Sequence, residues 1–514
     1  MDQAGAPGPG SAATLDVRLV PAALTAWTVT AAGIVWPIGR TLACAFAAAA
    51  VLSGALLWRA PRRRVICVGL LSVGVVGAGF GLAVAVRTEA ITHHAIAAAY
   101  GSATSVTVTP NESARTLGRG RLMFSATLQR LRDDEISGRV TVFARASEFG
   151  QESVMVGRPM RFTARIGPPL RRDLTVAVLT ATGSPSLGEA SAVQRSAHAV
   201  RSGFASEVRA VLPTDQAAML PALVLGDTSA VPTATSADFR SAGMTHLTAV
   251  SGANVTIVCG AVLLAGRLVG PRLAVLLAAV ALVAFVVVVQ PTASVLRAAV
   301  MGAVMLLGML TSRRRQAIPA LATAVLALMV FTPQLAVDAG FALSVLATAA
   351  LIVIAPVWSR RLVARGWPKP LADAVAVAWA AQVVTAPLVA AISGRFSVVA
   401  VAANLAAAPV IAPITVLGSI AAVLCLPWPP VAQLLLRFTG PEVWWVLRVA
   451  HLCAGAPAAT VPVPPGVAGV VLVAAVSVLV VALWRWRWFR AAAGAAIAMA
   501  ALCQLAWWLS VGPS

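Results

Sequence analysis

The sequence predicts a membrane all-α polytopic bundle of about 11–13 transmembrane helices with one small extracytoplasmic β domain, OB-like in size. Three observations predict it. Of 514 residues, 59% are apolar and only 11% charged, whereas a soluble domain carries about a quarter charged residues. Apolar stretches of about 20 residues, enough to cross a bilayer as a helix, recur along the chain. One long polar segment interrupts them: residues 87–240 hold 17 basic and 13 acidic residues, and the rest of the chain has five acids. This composition excludes a soluble enzyme, a disordered chain and a solvated repeat scaffold.

The first three spans are expected at 20–39, 41–58 and 65–86, with Arg40 marking a tight hairpin between the first two. No basic segment with a small-residue cleavage site precedes them, so the first reads as a retained span rather than a signal peptide. RAPRRR (59–64) should face the cytoplasm by the positive-inside rule, which sends the third span outward and puts 87–240 outside. The net charge of +21 then reads as loop charge beside a membrane before it reads as a nucleic-acid signal. The expected division is 1–86, a three-helix membrane region; 87–190, an extracytoplasmic β domain; 191–240, an amphipathic connector; and 241–514, a multi-helix membrane domain.

Within 104–183 the hydrophobic period shortens to two. RLMFSATLQRL (121–131), RVTVFARAS (139–147), MRFTARIG (160–167) and DLTVAVLTATG (173–183) alternate apolar and polar residues as half-buried strands do. About 80 residues suit a small Greek-key barrel or sandwich. Residues 192–212 return to a helical period, with Val193, Val200, Phe204, Val208 and Val211 on one face. An ordinary amphipathic connector is expected there, with a helix at the membrane surface or packed on the bundle as the alternative.

Further spans are expected near 244–266, 273–289, 292–311, 317–331, 335–357 and 371–393, with Gln290-Pro291 as a short hairpin. Arg313–Arg315 and SRRLVARGWPK (359–369) then fall on the same side as RAPRRR. Two crossings, 397–427 and 432–456, bring WRWRWFR (484–490) to that side, and 491–509 is the last span. Pro409 and Pro413 should break the first of these into a re-entrant or unwound segment. The Trp residues at span ends read as an interfacial belt, and the Ala/Gly/Val run 72–86 suits close helix packing. All six Cys lie in apolar stretches and read as buried, inert thiols.

Polar groups inside a bilayer are costly, so each is a candidate site. Arg297 stands out: it can snorkel outward, pair with Asp338, or point a cation into a wet path where it would meet a phosphate. Asp338 reads either as a helix cap or as a functional acid. MTHLTAVSGANV (244–255) brings His246, Ser251, Gly252 and Asn254 to one span start. No GxSxG elbow surrounds Ser251 and no acid orients His246, so hydrolase chemistry is not expected. Gln382 and Asn404 extend the polar set. There is no phosphate loop, no HExxH and no HxHxDH run, so neither ATP hydrolysis nor a catalytic metal pair is expected. The chain reads as a non-enzyme without cofactor or metal. His93-His94 reads as a juxtamembrane polar pair.

Several segments, in order, resemble the ComEC-type competence membrane proteins. They are PALVLGDTS (221–229), FRSAGMTHLTAVSGANVTIV (239–258), PTASVLRAAVMG (291–302) and DAGFALSVLATAALIVIAPVW (338–358). Ala342 and Val345 stand where that family's pattern often has Gln and Phe. The resemblance covers roughly 20–510. It implies a plasma-membrane channel that passes single-stranded DNA inward during natural transformation, with an OB-like domain outside. It implies motif positions at His246, Ser251, Gly252, Asn254, Arg297, Asp338, Gly340 and Ser344, with Gly252 and Gly340 allowing close helix approach. Many members carry a metallo-β-lactamase-like nuclease domain, which the five His of this sequence cannot build. The expected partners are therefore single-stranded DNA, membrane lipid, and a separate DNA receptor, nuclease and cytoplasmic translocase. A transporter for another anionic or envelope-related solute and a structural membrane protein are the alternatives.

Overall fold

The computed structural model describes residues 16–59, 64–117, 120–150, 154–290, 292–310, 317–483 and Trp486. Arg313–Arg315, Pro291, the span 491–509 and most of RAPRRR and WRWRWFR lie outside the described residues, as do Cys503, Trp484 and Trp507.

Helices α1 (Val20–Val35), α2 (Gly39–Arg59) and α3 (Arg64–Thr92) come first. Arg40 lies in the first turn of α2, not in the turn between helices. The Gly-rich face of α3 packs directly on α2. An added Cβ at Gly74, Gly77 or Gly81 would come within 2.8 Å or less of Ala50, Phe46 or Ala43. Small residues let two apolar helices approach this closely where no hydrophobic effect drives them together.

Next come β1 (Ala103–Pro110), β2 (Arg115–Leu117), β3 (Arg121–Leu131), β4 (Asp134–Arg145), the one-turn helix α4 (Ala146–Phe149), β5 (Met160–Gly167) and β6 (Ala177–Leu187). The sheet order is β1-β5-β6-β4-β3-β2, and a β1–β3 pairing closes it on itself. Neighbours run antiparallel except β4 and β6, which are parallel. Inward residues such as Phe124, Leu128, Val142, Met160, Phe162 and Leu179 are buried in one core. Phe149 of α4 meets Phe162 edge-on, with ring centroids 5.1 Å apart. The sequence reading marks four of these strands. The fourth begins late, at Ala177, because the Asp173 carboxylate accepts from Thr175 N in a tight turn and Leu174 sits at φ 65°. β1, with Val106 and Val108 inward, is the strand that closes the barrel.

Helix α5 (Ala192–Val211) starts in a capping box between Ser191 and Gln194. It is more than a connector: Phe204, Val208 and Arg201 are buried, and it packs on α6 (Thr214–Leu225). Val193, expected on its apolar face, is 60% exposed. After α7 (Thr233–Ser241) follow α8 (Gly252–Gly266), α9 (Pro271–Val289), α10 (Ala293–Leu310), α11 (Ala317–Phe331), α12 (Ala339–Val353), α13 (Ala355–Val363), α14 (Lys369–Ser393), α15 (Ala400–Leu424), α16 (Pro429–Ala454) and α17 (Val467–Leu483).

Three span expectations need correction. The span expected from 244 starts at Gly252, after a 3-10 turn at Thr245–Leu247. Gly243 at φ 70° turns the chain there, and the Thr248 hydroxyl bonds back to Thr245 O at 2.8 Å. The span expected from 335 starts at Ala339, after a 3-10 turn at Pro333–Val337, and runs to Val363 as one stretch long and apolar enough to cross a membrane. It is interrupted at Ile354, where Pro356 has no N–H for the carbonyl one turn back. The span through Pro409 and Pro413 does not break: α15 is continuous. Trp445 of α16 donates Nε1 to Ala406 O at 2.9 Å, one residue past the Leu405 carbonyl that Pro409 leaves without its helical donor. β7 (Arg395–Ser397), just before α15, pairs antiparallel with β8 (Thr460–Pro462), which follows α16, and only Ser397 of this small sheet falls within the expected span 397–427. Among the described residues six helical segments are long and apolar enough to cross a membrane, and five more apolar helices run only 10–17 residues. Cys44 is exposed, against the expectation for it, while Cys67 and Cys425 are buried.

The chain forms two compact units, Met1–Thr88 with Val304–Ala336, and Glu89–Ala303 with Val337–Ser514. In the first, Trp27 donates Nε1 to Ala336 O at 2.9 Å and Arg87 donates to Val330 O at 3.0 Å. The second holds the barrel and every candidate residue named above.

Candidate functional site

The polar start of α8 is built from the turn that precedes it. Gly243 must be glycine on two counts: its φ is 70°, and a Cβ would lie 2.5 Å from that of Ala400. Asn404 on α15 donates to Ala400 O at 2.8 Å and to Gly243 O at 3.4 Å, and Ser397 donates to Ser241 O at 2.7 Å. These bonds hold the turn against the start of α15. Asn404 therefore serves the turn and does not reach the rest of the polar set. His246 is exposed on the turn and makes no bond to Ser251.

Ser251 is the N-cap residue of α8, yet its hydroxyl caps no backbone amide. It lies 3.3 Å from Asn254 Oδ1 instead. Asn254 is buried and donates Nδ2 to Leu223 O on α6 at 3.1 Å. The first turn of α8 is thus tied to its neighbour while its leading amides keep no side-chain cap.

Arg297, on the second turn of α10, is only 5% exposed. Its Nε donates to Ser344 Oγ of α12 at 2.9 Å, and Nη1 lies 3.1 Å from Met301 Sδ. Ser294, one turn earlier, sits 3.2 Å from the same Ser344 hydroxyl. Nη2 points at the start of α8: a Cβ added to Gly252 would lie 2.9 Å from it. Gly252 is the close approach expected of it, and what approaches is a guanidinium.

Arg297 forms no ion pair with Asp338, nor with any other described carboxylate. Asp338 instead caps α12, accepting from Phe341 N at 2.6 Å, and is exposed. Gly340 is exposed as well, and a Cβ there would meet only Asp338. It does not mark a close helix approach. Gln382 is half-buried on α14, apart from this cluster. The structure therefore joins Ser251, Gly252, Asn254, Arg297 and Ser344, and leaves His246, Asp338, Gly340, Gln382 and Asn404 outside the group. Ser294 and Met301 were not singled out in the sequence. Their spacing of three and four residues from Arg297 on a helix was the signal available for them.

A second polar centre was not foreseen. Arg201 of α5 is 9% exposed. It donates to Leu225 O and Val288 O, both at 3.1 Å, and pairs with Asp227 at 3.4 Å. Burial pulls its pKa below the usual arginine value, and the Asp227 charge opposes that shift. It seats a cation against the carbonyl ends of two helices, where the dipole favours it.

The barrel carries a third feature. With Leu122, Phe124, Val142 and Ala144 inward, the alternate residues of β3 and β4 face out. Arg121 pairs in register with Arg145, and Met123 with Phe143. Arg115 of β2 lies opposite Met123. Like charges directly opposite one another destabilise a sheet. Arg145 is eased by Glu148 at 3.3 Å and Arg115 by Glu112 at 3.3 Å.

A family model described as Competence protein matches residues 223–488. ComE operon protein 3 of Bacillus subtilis (strain 168) is 27% identical over 229 residues, which cover 44% of this chain and 29% of that relative. The match thus spans less than a third of the relative's length. No solved structure matches.

Proposed function

The chain belongs to the competence protein family, and on that premise we propose that it is a multi-pass plasma-membrane protein that passes single-stranded DNA inward during transformation. The observation that carries the reading is the outward face of β3 and β4. Arg121, Arg145 and Arg115 surround Phe143 and Met123 on it. A groove that binds a single strand without sequence preference combines backbone cations with a surface on which bases stack. Residues 103–187 hold 12 basic and seven acidic residues, and three of these arginines lie on this one face.

We read the barrel as OB-like. It has five closing strands, a short helix between the third and fourth of them, and a parallel pairing that completes the ring. Folds of this kind bind oligonucleotides on the face of their second and third strands, which here are β3 and β4. The basic RAPRRR run supports an external position for 87–240. The strand would then meet the helices, where the turn 244–251 and the buried Arg297 offer polar groups within an apolar bundle. The reading assigns no reaction to this chain, so cutting the second strand and driving uptake fall to separate proteins.

The test is uptake of labelled DNA in a deletion strain complemented with the wild-type or the Arg121→Glu, Arg145→Glu protein. Restored cytoplasmic label with wild type and a loss of about tenfold or more with the double variant support the reading. Normal uptake in the deletion strain overturns it and moves transport of another anionic solute to first place.

A further inference from the structure

We infer that the first turn of α8 and the Arg297 guanidinium together form a seat for a single phosphate group. Its identity as a phosphodiester of the translocated strand rests on the DNA reading above.

Two independent features meet here. The leading amides of α8, at Gly252 and Ala253, have no carbonyl to donate to by helix geometry, and the Ser251 hydroxyl does not cap them. A helix N-terminus with free amides carries partial positive charge and favours an anion. Beside it lies a cation that is 5% exposed and has no carboxylate partner among the described residues. Two of its nitrogens are engaged, Nε with Ser344 and Nη1 with Met301. The third, Nη2, donates to no described group and faces Gly252. A buried arginine without a counter-charge is costly, and a positive helix end beside it adds to the cost. An oxyanion beside both, off the end of α8, relieves both costs by accepting from the backbone amides and from Nη2. Guanidinium suits this task because its planar fork matches phosphate oxygens.

Gly252 gives the seat its access. An alanine Cβ there would lie 2.9 Å from Nη2, so the guanidinium must swing away. The clash is with the far end of a flexible side chain, and alanine is a better helix former than glycine. Gly252→Ala should therefore keep the fold and lose the anion.

The test uses the full chain in neutral detergent, in an Arg121→Glu, Arg145→Glu background that removes the barrel's own phosphate contacts. The probe is an abasic deoxyribose-phosphate oligomer, and the readout is Tm against probe concentration. The expected result is a Tm rise that inorganic phosphate competes away, with affinity about tenfold or more weaker in Gly252→Ala and in Arg297→Gln. If Arg297→Gln fails to fold, Gly252→Ala and Arg297→Lys carry the comparison. Equal binding by the parent and the variants overturns the seat. A second arm compares nanodiscs of phosphatidylglycerol and phosphatidylcholine. A variant-sensitive rise with phosphatidylglycerol and none with the oligomer makes the ligand a lipid headgroup and overturns its assignment to DNA. Transformation lost in Gly252→Ala with oligomer binding intact overturns the seat and leaves the DNA reading standing. Binding lost with transformation intact supports the seat and overturns its place on the DNA path.

Discussion

At the scale of single residues, Arg201 does the work of several ordinary contacts. One guanidinium satisfies carbonyls at the ends of α6 and α9 and pairs with Asp227. Arg201→Ala should cost about 2–4 kcal/mol, because it strands buried carbonyls and an acid together. Arg201→Lys should recover only part of this, since an ammonium cannot span the same fork. Thermal melting of the full chain in detergent measures both. Tyr100 offers a cleaner readout, as it is the single Tyr of the chain. Its hydroxyl donates to Val176 O at 2.7 Å, and burial raises its pKa above the ordinary 10.0. A raised folded pKa means that its contribution to stability is fully present below the unfolded value near 10. That contribution is lost as pH rises through the folded value. Phenolate absorbance should therefore titrate above 10 in the folded protein and at about 10 in denaturant.

At the scale of elements, the α2–α3 pair shows how much a glycine face decides. Gly74 and Gly77 sit one turn apart on α3, yet they face different obstacles. A Cβ at Gly77 would meet the Phe46 ring at 2.4 Å, whereas one at Gly74 would meet the backbone of Ala50 at 2.8 Å. Gly77→Ala should destabilise by about 1–3 kcal/mol, and Phe46→Ala in the same chain should offset part of that loss. No side-chain change at position 50 should rescue Gly74→Ala, because the obstacle there is main chain. A double-mutant cycle read by thermal melting separates the two cases. The same kind of detail corrected the expected spans. A proline does not by itself end a helix here: Pro356 separates α12 from α13, while Pro387, Pro409, Pro413 and Pro441 sit inside continuous helices.

At the scale of the whole molecule, the DNA reading makes a quantitative claim about salt. For single strands log K falls with log salt by about 0.7 per phosphate neutralised. Arg121→Glu with Arg145→Glu should lower the slope of oligo-dT binding to the full chain by about 1.4, and Phe143→Ala should weaken binding by about 1–3 kcal/mol without changing the slope. A slope unchanged by the arginine variants would remove the barrel from the DNA path.

Composition and period alone determined that the chain is an apolar helical protein with one β segment, because burial demand is written in the order of apolar and polar residues. The same reading found the unusual status of Arg297, since a lone cation in an apolar run is visible without coordinates. Only the tertiary structure decided its company. Asp338, 41 residues away and opposite in charge, was a reasonable partner on paper, but its carboxylate caps its own helix and the guanidinium turns to Ser344 and Gly252. The register that sets Arg121 against Arg145 across β3 and β4 was equally hidden. Which residues meet across helices or strands depends on rotation, register and the space left by neighbours, and these are settled by packing between segments far apart in the chain.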